Sequence, residues 1–221
     1  VGTGTDRHES LPPIPSRWPR CLHALLIDKL NRAGAGTIVF DVLFRQRSPQ
    51  VGLYGDLNAE QDAMLAKAMS AAGNVVIAQK VEQISSDPTA PDEQPLNLSP
   101  QLENAALGAG PFQLLPSANR RIDRYDLFKE DGWAMPGLPL LALQAYSIDA
   151  YPVFHEMLAA QSRDAADLLP ATTAELKNGP LQATGLLLRQ IFKRDPALAE
   201  RLNRAMAPPA AADQSYNMLV H

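Results

Sequence analysis

The chain has 221 residues, a formal net charge of −4, and a globular balance of 46% hydrophobic and 20% charged residues, enough for an α/β domain with an added layer and a sizeable core. No basic excess is available to neutralise phosphates, which argues against a nucleic-acid partner. The single cysteine, Cys21, excludes an intramolecular disulfide and a cysteine-based zinc site, and no run reaches the roughly 18 apolar residues of a membrane span.

Residues 1–15 are rich in Gly, Pro and polar residues and read as an extended arm. The chain starts at Val1 without a leader pattern and reads as a piece of a longer protein. From Cys21 to Ala33, Leu22, Leu25, Leu26 and Leu30 recur at helical spacing and predict an amphipathic helix with a leucine core face. Lys29 and Arg32 suit its carboxyl-terminal dipole, and Gly34 ends it. Thr37 to Phe44 is a β-branched and aromatic run that predicts a buried strand with Asp41 in its middle. After a Gly-, Pro- and Ser-containing loop, Asn58 with Gln61 three residues on predicts a capping box, and Met64, Leu65, Ala68, Met69 and Ala72 form the helix's apolar face. Gly73 stops this helix, and Asn74 to Gln79 predicts the next strand. Helix, strand, helix, strand with short turns implies parallel strands and right-handed crossovers.

A proline-rich loop spans 85–100, and a short helix is predicted over Gln101–Leu107. A brief strand follows at Phe112–Leu115, then an edge or antiparallel strand within Arg121–Phe128. Pro136 opens another helix. Residues 151–206 are rich in Ala, Leu, Asp and Arg, break at Pro170, Pro180 and Pro196, and predict three or four short helices. Tyr216 to Val220 reads as one more strand. The fold class is therefore α/β: a central mixed, mainly parallel sheet flanked by helices, with a helical insertion. The boundaries are an arm at 1–15, a core at 16–150, the insertion at 151–212 and the start of a returning strand at 213–221.

Asp41 is the first candidate for chemistry. An acid at the end of a parallel strand is a common nucleophile or metal ligand in α/β proteins, and Asp56 or Asp62 would complete an acidic metal site. The competing reading makes Asp41 a brace whose buried charge takes backbone or arginine hydrogen bonds. His23 lies on the first helical turn beside Arg20, without ligand spacing to the other histidines, and reads as a hydrogen-bonding helix-start residue. Gly34-Ala35-Gly36 follows a helix and precedes a strand, the reverse of the order a phosphate loop needs. The mixed charges from Arg120 to Asp126 read as a solvated face. No catalytic triad, cofactor motif or metal-ligand spacing stands out.

Taken in order, WPR-x2-HA-x2-I-D-x-L, AGAGTIVFDVLF, D-x5-D-x2-LAKAM, GNVVIAQ, RRIDRYDLF and PGLPLLALQAY resemble the type 2 CHASE domain, the cyclase- and histidine-kinase-associated extracellular sensory domain. The resemblance covers roughly residues 16–147. It implies a non-enzymatic extracytoplasmic sensor at the N-terminus of a bacterial membrane receptor whose output is a nucleotide cyclase or a kinase. The family usually begins with a strand ahead of the WPR segment and ends with two further strands; VGTGTDRHES and SYNMLVH depart from that pattern. The expected ligand pocket lies at the carboxyl ends of the parallel strands, near Phe40–Arg47 and Gln79–Ile84, with Arg20, Asp41, Phe44 and Arg45 as ligand-binding candidates. No cofactor is expected. The partner is an unidentified small molecule or protein, and a homodimer is a further expectation. Two alternatives stand beside this reading: a small metal-dependent hydrolase using Asp41 with Asp56 or Asp62, and an interaction module docking through residues 151–206.

Overall fold

The apolar run after Gly73-Asn74 becomes the strand around which the other layers assemble. A computed structural model describes residues 18–44, 53–83, 93–95, 98–112, 127–129, 135–179 and 181–207. Strand β1 (Ile38–Phe40), β2 (Val75–Gln79) and β5 (Gly108–Pro111) form a parallel sheet in the order β1-β2-β5. Ile38 pairs with Val75, Phe40 with Ile77, Val76 with Gly108 and Gln79 with Pro111. Two antiparallel pairs stand apart from it: β3 (Val81–Gln83) with β4 (Glu93–Pro95), and β6 (Phe128–Lys129) with β7 (Met135–Pro136). The antiparallel strand expected up to Phe128 is present at its last residue, and residues 121–126 lie outside the described residues.

Successive side chains of a strand point to opposite faces, and β2 is buried on both. Val75 and Ile77 enter a first core with Ile27 of α1 (Arg20–Arg32), Leu65 and Met69 of α2 (Leu53–Ala72) and Leu102 of α3 (Pro100–Ala105). Val76 and Ala78 enter a second core with Leu141 of α4 (Leu138–Tyr146) and Leu181 of α8 (Leu181–Arg194). The fold class is α/β, with helices on both faces of a small parallel sheet.

Turn chemistry closes the first layer. Gly34 adopts φ +81°, with Ala35 N–H donating to Leu30 O and Gly34 N–H to Asn31 O, the bond pair of a Schellman motif. Gly73, at φ +65°, ends α2. Asn74 Nδ2 donates to Ala35 O at 2.7 Å, tying the two helix-to-strand turns together.

Four expectations are corrected. The leucine stripe of α1 faces outward: Leu22, Leu25, Leu26 and Leu30 are exposed, whereas Arg20, His23, Ala24 and Ile27 are buried. Periodicity identifies an apolar stripe but does not say which side meets the sheet. Helix α2 begins at Leu53, so Asn58 lies inside it and not at its start. Met64, expected on the apolar face of α2, is exposed. Strand β5 covers Gly108–Pro111, ahead of the strand expected at Phe112–Leu115; Phe112 is not part of β5, and residues 113–115 lie outside the described residues. A Cβ on Gly110 would sit 2.6 Å from Leu141 Cδ1 and 2.8 Å from Pro136 O, so α4 can close on β5 only over bare backbone.

Residues 151–207 form α5 (Tyr151–Gln161), α6 (Arg163–Ala166), α7 (Thr173–Asn178), α8 and α9 (Pro196–Met206), more helices than the proline breaks suggest. Side-chain caps set the extra starts. Ser162 Oγ accepts from Ala165 N, Thr172 Oγ1 from Glu175 N and Asp195 Oδ1 from Leu198 N. Leu158, Ala166, Leu198 and Leu202 form a third core. Helix α8 joins this block to the sheet, because Gln182 Nε2 donates to Ala109 O at 2.8 Å and Arg189 lies 4.7 Å over the Phe128 ring.

Gly110→Ala is expected to lower stability by about 2 kcal/mol through overpacking, read as a lower urea midpoint at unchanged m-value. A second expectation concerns Tyr151, whose hydroxyl donates to Pro170 O at 2.6 Å. Burial, followed by the nearby Glu175 carboxylate, pushes this phenol up to about 12. The folded state holds the proton more tightly than the unfolded chain, so the contribution is complete below about pH 10 and is lost as pH rises toward 12. Alkaline unfolding curves should therefore fall more steeply for the wild type than for Tyr151→Phe across that window.

Candidate functional site

The first two residues of the WPR segment bring α1 in over the carboxyl end of β1. Pro19 occupies the N-cap and offers no side-chain acceptor for the first free N–H groups of α1. Gln61 Oε1, from the neighbouring helix α2, accepts the Arg20 backbone N–H at 3.1 Å. The residue expected to cap its own helix thus caps another. His23 completes the helix start, with Nδ1 3.3 Å from Pro19 O. This agrees with the helix-start reading of that histidine.

Side chains then converge. The Arg20 guanidinium is buried and ion-paired with Asp62 of α2, the next residue after Gln61. Its carbon lies 5.9 Å from the centre of the Phe44 ring, within cation–π range. His23, Phe40 and Phe44 pack edge-to-face, with ring centres 5.3–5.8 Å apart. Trp18 covers His23 from outside at 6.0 Å and remains 60% exposed. On the same face of the sheet, Gln79 is buried at the carboxyl end of β2. The result is a charged and aromatic corner where α1, α2 and β1 meet.

Among the four ligand-binding candidates, Arg20 and Phe44 are brought together here. Asp41 is not with them. Strand β1 stops at Phe40, and Asp41 follows it exposed to solvent, so the acid expected inside a buried strand lies beyond its end. Short length is the cause: three residues put Ile38 and Phe40 into the first core and leave Val39 on a face that no described helix covers. The side chains of Arg45 and Asp56 lie outside the described residues. Asp62, proposed as a metal ligand beside Asp41, is instead the partner of Arg20. Among the described residues, no group of three or more His, Cys, Asp or Glu side chains is arranged to hold a metal ion.

Sequence reasoning missed Gln61 and the ring contacts of Trp18 and Phe40. A usable signal was present. Gln61-Asp62 are adjacent, so one helical turn can meet both the backbone and the side chain of a single buried residue. An arginine inside an apolar helix face demands such a partner.

Comparison with protein families identifies what these elements belong to. The CHASE2 domain model matches residues 6–213, nearly the whole chain, and the chain belongs to that family. CHASE2 is an extracellular sensory domain family. No curated protein and no solved structure matched the chain.

Breaking the Arg20–Asp62 pair from one side should be costly, because a buried charge then loses its partner. Asp62→Ala is expected to destabilise by about 3 kcal/mol in urea unfolding. The double variant Arg20→Met/Asp62→Leu should recover part of that loss. A double variant as unstable as the sum of the two single changes would show that the pair is not coupled.

Proposed function

We propose that this chain is the extracytoplasmic ligand-sensing domain of a bacterial, membrane-anchored signalling receptor, located on the periplasmic side of the inner membrane. Its signal passes to an output such as a nucleotide cyclase or a kinase. Family membership supports the sensory part of this reading. Among the described residues no helix is long and apolar enough to cross a membrane, so anchoring would fall to other segments of the parent protein.

The observation that carries the mechanism is the corner at Arg20. There the start of α1 is bound to α2 through Gln61 and Asp62, and to the carboxyl end of β1 through Phe40 and Phe44. Ligands of open α/β sheets bind outside the carboxyl ends of the strands. In this reading a ligand approaches from the solvent side at Asp41, just past the end of β1, and acts on the buried Arg20 and Phe44 behind it, biasing how α1 sits on α2; Arg45, the remaining candidate, follows Phe44 in the chain. A shift of this kind stabilises one of two arrangements by the difference in ligand affinity between them. The effector is an unidentified small molecule or protein.

Two measurements test the reading. Alkaline phosphatase fused after His221 in the full-length parent is expected to be active, as an extracytoplasmic position requires; inactivity would overturn the location. In the same parent, Asp41→Asn is expected to change output activity by several-fold while leaving the unfolding midpoint within about 0.5 kcal/mol of wild type, as for an exposed position. Unchanged output from both Asp41→Asn and Arg45→Gln would remove this ligand placement.

A further inference from the structure

Large apolar side chains are unevenly exposed on this molecule. Of the fifteen exposed among the described residues, eight fall between Trp18 and Leu43. Four are the leucines of α1, at positions 22, 25, 26 and 30, and they make one continuous helix face. Val39, Val42 and Leu43 expose apolar surface on β1 and directly after it.

The topology gathers these residues at one margin of the fold. Helix α2 connects β1 to β2, and α3 lies between β2 and β5. Helix α1 packs on α2 from the other side, so it is the outermost helix above the outermost strand. Beneath it, the outer edge of β1 has no strand partner among the described residues. An apolar helix face and an open strand edge therefore lie side by side, a combination that soluble proteins cover or blunt.

We propose that a second copy of this chain covers this margin, forming a two-fold homodimer centred on the leucine face of α1. Size supports that occupant. An ordinary interface buries on the order of 800 Å² per partner, about two thirds of it apolar when the partners are identical. Half-exposed large apolar side chains contribute roughly 60–80 Å² each, so the seven other than Val39, which points to the opposite face of the sheet from α1, supply most of the apolar area needed. Charge opposes it only weakly. A two-fold interface sets each surface against itself, so a charged face would be self-repelling. Asp28 and Arg32 neutralise each other at 3.3 Å, and Lys29 is the single charge within the stripe, with an apolar stem long enough to carry its ammonium to the rim of the interface. A lipid surface would call for a cluster of basic residues around the apolar face, and one lysine does not form a cluster.

The proposal needs no ligand, and Trp18, Val42 and Leu43 mark where its border runs beside the corner at Arg20. Its test is sedimentation equilibrium on the 221-residue chain and two variants. Leu25 is 55% exposed and Leu143, on α4 far from this margin, is 58% exposed, so aspartate at either position leaves the cores intact. The expected result is a wild-type dimer, weakened at least about 30-fold by Leu25→Asp and unaffected by Leu143→Asp, with both variants retaining the wild-type circular dichroism spectrum. A wild-type monomer at every concentration would overturn the proposal, as would a dimer indifferent to Leu25→Asp. A monomer whose melting temperature drops in Leu25→Asp would also overturn it, by showing that the chain covers its own leucine face.

Discussion

Burial of β2 on both faces is the constraint from which the rest of the architecture follows. Val75, Val76, Ile77 and Ala78 are almost wholly removed from solvent. A strand with no exposed face cannot sit at a surface, so it needs a neighbour on each edge and a helical layer on each side. Strands β1 and β5 meet the first demand. Helices α1, α2 and α3 meet half of the second, and α4 with α8 the other half. The helical stretch after residue 150 is thereby drawn into the sheet's own packing, since Leu181 shares a core with Val76 and Gln182 bonds the backbone of β5.

The corner around Arg20 shows a different kind of constraint. A buried ion pair is weak evidence of stability, because desolvation offsets most of the attraction. Its value lies in position. Arg20 makes three contacts at once: its backbone donates to Gln61 and its charge pairs with Asp62, both on α2, and its guanidinium meets the Phe44 ring beyond the end of β1. Sliding α1 along α2 would break the first two together, so the pair favours one register of two helices that leucine periodicity alone leaves open.

Much of the fold was legible in the sequence, for reasons that can be named. The strand after Gly73-Asn74 and the stops at Gly34 and Gly73 depend on local chemistry: an apolar run of strand length and the freedom of glycine at positive φ. Errors arose where a local pattern had two tertiary uses. The leucine stripe is real but faces away from the core. The Asn58–Gln61 pair has capping spacing, yet the helix starts a turn and a half earlier and Gln61 serves α1. Strand β5 at Gly108–Pro111 is hidden from sequence reading because its glycines carry no strand propensity; Gly110 is required by α4, which lies far along the chain. Of the candidate site, Arg20 and Phe44 could be read from the WPR segment and the aromatic strand. Asp41 was assigned to the interior because a strand longer than the actual three residues was assumed.

The bare backbone at Gly110 has a mechanical consequence. At that point the Leu141 side chain of α4 and the Pro136 carbonyl close directly on the main chain of β5, with no room for even a methyl group. The strand's backbone thus works as a hard stop: α4 and the second core behind it can be lifted from the sheet, but they cannot be pressed closer to it.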